Sequence, residues 1–295
     1  MRELTSKQAD LMLFMVAFFW GTGFTVTKYA LDIFTSTQLL FLKFIVASAV
    51  LMIVFWKKMK TAVKADYKAG IIMGVLLAVG YVFQTVGMEG TTAGNAAFLT
   101  GSNVVMVPFF YWMATKIKPK KDNIIAAIMM FAGILLLTVD FKNFGRFNYW
   151  DLITFMCAIL FAWQVVATGI FAADKDPIII ATIQILTCTV IFLVMVVIEG
   201  KSMHFNAGGT VSILYLGLIN TMLCFLMQTA GQKYTSATHA AIILSLEAVI
   251  GSLLGVIFLK EKYSFMTMLG FAIIFLAVLT AEGGLSLLRR KNIKI

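Results

Sequence analysis

Glu247 offers the most chemistry in this chain, because it stands in a long apolar run, SLEAVIGSLLG, with no cation nearby in the same run. Held in a helix within lipid, an ionised carboxylate costs roughly 2.5–3.5 kcal/mol on insertion scales and more by other measures. A cationic group of a ligand could compensate it, as could a bound proton, since removal from water disfavours the charged form. A fixed hydrogen-bond network between helices is the structural alternative. The first two options are the chemistry of a carrier that couples a ligand to protons.

The other polar candidates come in pairs 144 positions apart. TTAGNAAFLTGSNVVMVP, from Thr91, aligns without a gap on TSATHAAIILSLEAVIGS, from Thr235, and the match runs back to Gln84 on Gln228 and Gly87 on Gly231. Asn103 is thereby the mate of Glu247, and Asn95 that of His239. Asn103 offers a neutral donor or acceptor opposite a carboxylate, which would orient a ligand with its amine toward Glu247; its alternative is to bridge helices. A neutral His239, two turns before Glu247, could relay protons or else cap its helix. The amides of Gln84 and Gln228 carry both donors and acceptors, for a ligand or for neighbouring backbone.

Trp20, Thr22 and Thr25 place an aromatic face and two hydroxyls in the first apolar run, and Trp163 with Gln164 sits at nearly the corresponding level of the sixth. The indoles could wall a cavity or meet a cation; alternatively, Trp20-Gly21 simply serves close helix packing. Lys43 reads first as a side chain snorkelling to the headgroups, with a ligand carboxylate or Glu247 as the other potential partner. Glu89 and Glu261 are expected at outer ends, solvated or organising loops. The expected ligand contacts are therefore Trp20, Thr22, Thr25, Gln84, Asn95, Asn103, Trp163, Gln164, Gln228 and Glu247, with Glu247 and His239 handling protons.

The elements that must position these residues follow from composition. Of 295 residues, 61% are hydrophobic and 13% charged, whereas soluble domains carry about 25% charged residues. Ten apolar runs, 9–30, 35–56, 69–89, 92–115, 123–140, 149–172, 177–198, 209–231, 236–259 and 265–287, are each long enough to cross a ~30 Å hydrocarbon core as a helix. They predict an all-α membrane protein with ten transmembrane helices and no soluble domain between them. The first run lacks a cleavage pattern and reads as a retained span. Cys157, Cys188 and Cys224 fall inside these runs and behave as small apolar residues.

With the N-terminus inside, 17 lysines and arginines fall on the cytoplasmic side and 6 on the other, which sets both termini in the cytoplasm. The net charge of +10 is explained by that topology and by anionic lipid, so nucleic acid is not needed as a partner. Ten spans divide into two five-helix units, 1–145 and 146–295, and an odd number per unit inverts the second. Inverted repeats place a site near the bilayer midplane, at their interface, and let it open to either side in turn.

From FWGTGFTVTK (Phe19 to Lys28), the chain resembles the drug/metabolite transporter superfamily, in particular its ten-helix EamA branch. The resemblance spans nearly the whole chain. It rests on Trp20-Gly21, on the Ala-rich start of the fourth span with Pro108 further along it, and on SLEAVIGSLLGVIFLKEKYSFMTMLGFAIIFLAVL, with Glu247, Glu261 and Gly270 in the usual places. Two positions depart from the pattern: Ala248 stands where the family often has Pro, and Lys43 roughly where it often has Arg. The loss of a kink and of a forked donor follows. The resemblance implies a cavity framed by spans 1, 3, 4, 6, 8 and 9, with spans 5 and 10 as supports, and small-metabolite traffic, often export of amino acids or related compounds.

No G-x-x-x-x-G-K-[ST] loop is present for a pump driven by ATP, and two histidines without an HExxH or a Cys cluster give no metalloenzyme. The expectation is a secondary active transporter, not an enzyme, in the plasma membrane. It moves small polar or amphiphilic metabolites, amino acids or amines among them, by alternating access, as an exporter coupled to protons. A passive channel or facilitator, or a membrane ligand sensor, is the alternative. The expected partners are the small-molecule substrate, the lipid bilayer and protons, with no cofactor; a homodimer is compatible with the sequence.

Overall fold

The computed structural model describes residues 5–138, 149–259 and 265–281; Glu261, and the basic residues expected between 139 and 148, between 260 and 264 and after 281, lie outside the described residues, as does the side chain of Asn95. Among the described residues every regular element is a helix. α1 (Ser6–Leu31) and α2 (Ser36–Met59) both open with a capping box, Thr5 with Gln8 and Thr35 with Gln38, in which side chain and backbone N–H groups satisfy each other. α3 (Lys64–Gly90) follows, then α4 (Ala93–Gly101), α5 (Asn103–Thr115) and α6 (Lys121–Thr138). α7 (Tyr149–Ala172) leads to α8 (Pro177–Glu199), which starts on an Asp176 cap with Pro177 in the first turn and stops at Gly200 with φ +62°. α9 (Ala207–Leu214) runs into a π-helical segment (Tyr215–Leu223) and α10 (Cys224–Gln232); α11 (Ala237–Leu244), α12 (Leu246–Leu259) and α13 (Phe265–Ala281) complete the order.

Among the described residues, seven stretches are long and apolar enough to cross a membrane, taking Ala96–Thr115 and Ala207–Gln232 as one helix each, with Ala237–Gly251 a shorter apolar helix. The chain is a multi-pass integral membrane protein. Three of the runs expected as unbroken helices are interrupted. At Ser102 and Ser245 the side chain hydroxyls donate back to the Leu99 and Ile242 carbonyls, at 2.6 and 2.8 Å. The next turn is tightened to i→i+3 bonding, Val105 N–H to Ser102 O and Ala248 N–H to Ser245 O. Such hydroxyls compete with the helical ladder, which is why the interruption falls there. The third run winds wide over Tyr215–Leu223, nine residues of π-helix.

Close packing is arranged by glycines. α3 lies against α7 and α8, and a Cβ at Gly74 would come within 2.7 Å of the Gln184 carbonyl oxygen of α8. α1 lies along α12, where a Cβ at Gly21 would come within 2.8 Å of the Glu247 carbonyl oxygen. α2 packs on α8 and the π segment, touching the latter where Gly217 faces the Lys43 carbonyl. α6 and α13 pack chiefly on each other, with Gly133 against Ile274.

Candidate functional site

Between these helices lies a chamber with about 690 Å³ of space free of atoms, its open side included. Its walls come from α1, α2, α3, α4, α5, α7, the π segment, α10, α11 and α12; none of the lining residues belongs to α6, α8 or α13. The resemblance omits the second span from this frame, and that span contributes Lys43.

Glu247 lines the chamber and is 6% exposed. It occupies the first turn of α12, directly after the Ser245 interruption, and not the middle of an unbroken helix. Asn103, its mate, lines the same chamber at the start of α5, directly after Ser102. Both halves of the duplication therefore offer a polar side chain at a helix restart.

Trp20 lines the chamber, with its Nε1–H donating to the Asn220 carbonyl at 3.0 Å and its ring 5.3 Å from that of Phe225. Gln84 also lines it, donating from Nε2 to Thr100 Oγ1 at 3.0 Å. Gln164 lines it from α7 and is turned toward Thr168 Oγ1, 2.9 Å away, and toward Gln228. Gln228, Gln84's mate, stands behind Gln164 as a buried amide partner and does not border the chamber. The duplication is not symmetric here, because the Gln164 amide takes the place that Gln228 would need.

Three other expected contacts, and His239, expected to handle protons, sit elsewhere. Thr22 bonds the Tyr215 hydroxyl and the Phe19 carbonyl, holding α1 to the π segment. Thr25 is half-buried and outside the chamber wall. Trp163 stacks on Phe110, ring centroids 4.7 Å apart, and faces an apolar groove between α3, α5 and α7. His239 faces Asp10 across α11 and α1, Nε2 to Oδ1 3.3 Å, at the end of the bundle rather than beside Glu247. For Thr22, Thr25 and Trp163 helix rotation decides the face, which spacing along a run does not reveal.

Lys43 overturns its first reading. It is 3% exposed, lines the chamber, and sets Nζ 3.9 Å from the centre of the Tyr81 ring and 5.5 Å from that of Phe44. The side chain points inward where α8, α3 and the π segment pack on α2. Tyr81, in turn, packs edge-on to Phe44, Phe161 and Phe225 at 5.3–6.2 Å. Asn220 is a further wall residue that the sequence reading passes over; its Nδ2 donates to the Phe19 carbonyl at 2.9 Å. An amide in an apolar run was the available signal for Asn220, as an isolated cation was for Lys43.

At one end, Lys28 donates to the Met88 and Thr91 carbonyls that terminate α3, and the Thr91 hydroxyl bonds Asp151 of α7. Ser36 Oγ reaches Glu89 Oε1 at 2.6 Å there. Glu89 is exposed, as expected of a residue at an outer end, and also ties α3 to α2.

The model of the EamA-like transporter family matches residues 7–139 and again 148–281. An uncharacterized transporter of Archaeoglobus fulgidus is 29% identical over 271 residues, 92% of this chain and 84% of its own. The uncharacterized transporter YwfM of Bacillus subtilis is 24% identical, covering 92% of each chain. A protein solved by crystallography shares the fold with a TM-score of 0.79 at 16% identity, over 98% of this chain and 99% of its own.

Proposed function

The chain belongs to the EamA-like transporter family, and from that membership together with the chamber between its helices we infer that it is a secondary active transporter of small polar or amphiphilic metabolites, amino acids or amines among them. A membrane transporter is the common description of its relatives. The observation that carries the finer reading is the chamber itself, apolar and aromatic over most of its wall, with Glu247, Asn103 and Gln84 converging on it. Binding sites for small molecules have this makeup.

Alternating access between two inverted five-helix units, 1–145 and 146–295 with both termini cytoplasmic, is supported by the packing. Exchanging the units exchanges the contacts: α3 on α7 answers to the π segment and α10 on α1, and α3 on α8 to the π segment on α2. The mates Gly87 and Gly231 illustrate it, the first packed on Thr154 of α7 and the second on Leu13 of α1. Two such units rocking about a shared site expose it to one side at a time.

Glu247 is the coupling residue in this reading. With a proton it releases the cationic end of the substrate on one side; without it, the carboxylate receives that end on the other, so an inward proton gradient drives export. Substituting Glu247→Gln is expected to leave the purified protein folded and counterflow measurable while abolishing the response to an imposed pH gradient in proteoliposomes. Unchanged coupling would refute the role. Saturable counterflow of labelled substrate separates a carrier from a channel, which conducts without it, and from a sensor, which binds without flux.

A further inference from the structure

Lys43 and Glu247 are the two formally charged residues among those lining the chamber. Neither forms an ion pair or a side chain hydrogen bond among the described residues, and the two do not pair with each other. Both are almost fully withdrawn from solvent, at 3% and 6% exposed. The Tyr81 ring face attracts the Lys43 ammonium, but a π face accepts none of its three N–H donors in a directed hydrogen bond. A buried charge with its hydrogen-bonding capacity unspent is costly and wants a counter-ion.

Position is built around this ammonium. Gly217 brings the π segment onto the α2 backbone at Lys43 itself, and the rings of Tyr81 and Phe44 hold edge-on contact beneath it. An amine entering the chamber would satisfy Glu247 and leave Lys43 unpaired; a simple anion would do the reverse. A molecule carrying both signs leaves neither charge alone and keeps the chamber neutral.

We propose that Lys43, seated on Tyr81, is the anion-binding pole of the chamber: its ammonium receives a small carboxylate while Glu247 takes the donor end of the same molecule. The proposal rests on the reading of the chamber as the transport site and narrows it to small zwitterions, with the carboxylate as a required group. Arg at this position would serve, while a neutral side chain would not. Tyr81 is a positioning residue, acting through Lys43.

The experiment uses purified full-length protein, in proteoliposomes and in thermal unfolding, with leucine, leucinamide and N-acetylleucine as one matched set and equivalent sets built on serine and phenylalanine. A panel of simple amines and sugars is run alongside. Wild-type protein is expected to prefer the zwitterion of at least one set to its amide by about ten- to a hundredfold, the weight of a charge-assisted hydrogen bond. Lys43→Met is expected to unfold no earlier than wild type without ligand, since an unpaired buried charge is removed, and to lose the preference for the acid over the amide. Lys43→Arg should keep it.

An acid preference that survives in Lys43→Met overturns the proposal, and so does saturable wild-type counterflow confined to compounds without a carboxylate. Those results leave the transport reading standing. Absence of counterflow with every compound overturns that reading and the proposal with it.

Discussion

Asn220 does two jobs with one residue. Its carbonyl receives the Trp20 indole N–H and its amide donates to the Phe19 carbonyl, so α1 is pinned to the π segment at the chamber wall. Gly23 makes room for it, since a Cβ there would come within 2.3 Å of Asn220 Nδ2. Asn220→Ala is expected to lower stability by about 0.5–1.5 kcal/mol, the usual net contribution of one hydrogen bond, with a shifted Trp emission maximum reporting the loosened contact of α1 with the π segment. Gly23→Ala should act on the same contact, so the double variant should cost less than the sum of the two in thermal unfolding. Independence of the two effects would show that the pin does not exist. Glu247 was legible from the sequence because a carboxylate in an apolar run demands an explanation wherever it points. Lys43 carried the same signal, but a lysine can escape along its own stem, and whether it does depends on neighbours 34 to 174 residues away in the chain, Leu77 and Gly217 among them.

At the level of elements, the apolar runs mark the helices well, because lipid requires every spanning backbone group to be satisfied within the helix. Hydropathy does not mark the interruptions. Ser102 and Ser245 look like ordinary small residues in a row of apolar ones, and only their back-donated hydroxyls show that each run restarts there. The π segment was equally hidden, since neither its apolar residues nor Asn220 among them distinguishes wide from ordinary winding. Gly70 and Gly74 serve α8, with Cβ positions 2.5 Å from Ile183 Cβ and 2.6 Å from Thr187 Cβ, partners that no local pattern names. Gly74→Val should therefore part α3 from α8, lower stability by roughly 1–3 kcal/mol as overpacking does, and reduce the detergent-stable monodisperse fraction on gel filtration. A wild-type elution profile and melting temperature would contradict the contact.

For the whole molecule, the expected orientation makes a simple prediction. Cys157, Cys188 and Cys224 are buried, so single introduced cysteines report against a low background. Ser202→Cys, in the exposed turn between α8 and α9, should react with a membrane-impermeant maleimide in intact cells, whereas Thr61→Cys, in the exposed turn before α3, should react only after permeabilisation. The opposite pattern would turn the molecule over, and labelling of both from one side would dismantle the five-span unit. The wide winding of Tyr215–Leu223 then takes on a further meaning. A π turn is rotation held in reserve: each residue there that relaxed to ordinary α winding would swivel everything beyond it by roughly 20°, the difference between about 100° per residue in an α-helix and about 80° in the wider turn. Relaxed along its nine residues, the segment would turn Phe225 out of the wall and bring a different side of α10 to the chamber, with α1, α7 and α8, which pack on α10, giving way to it.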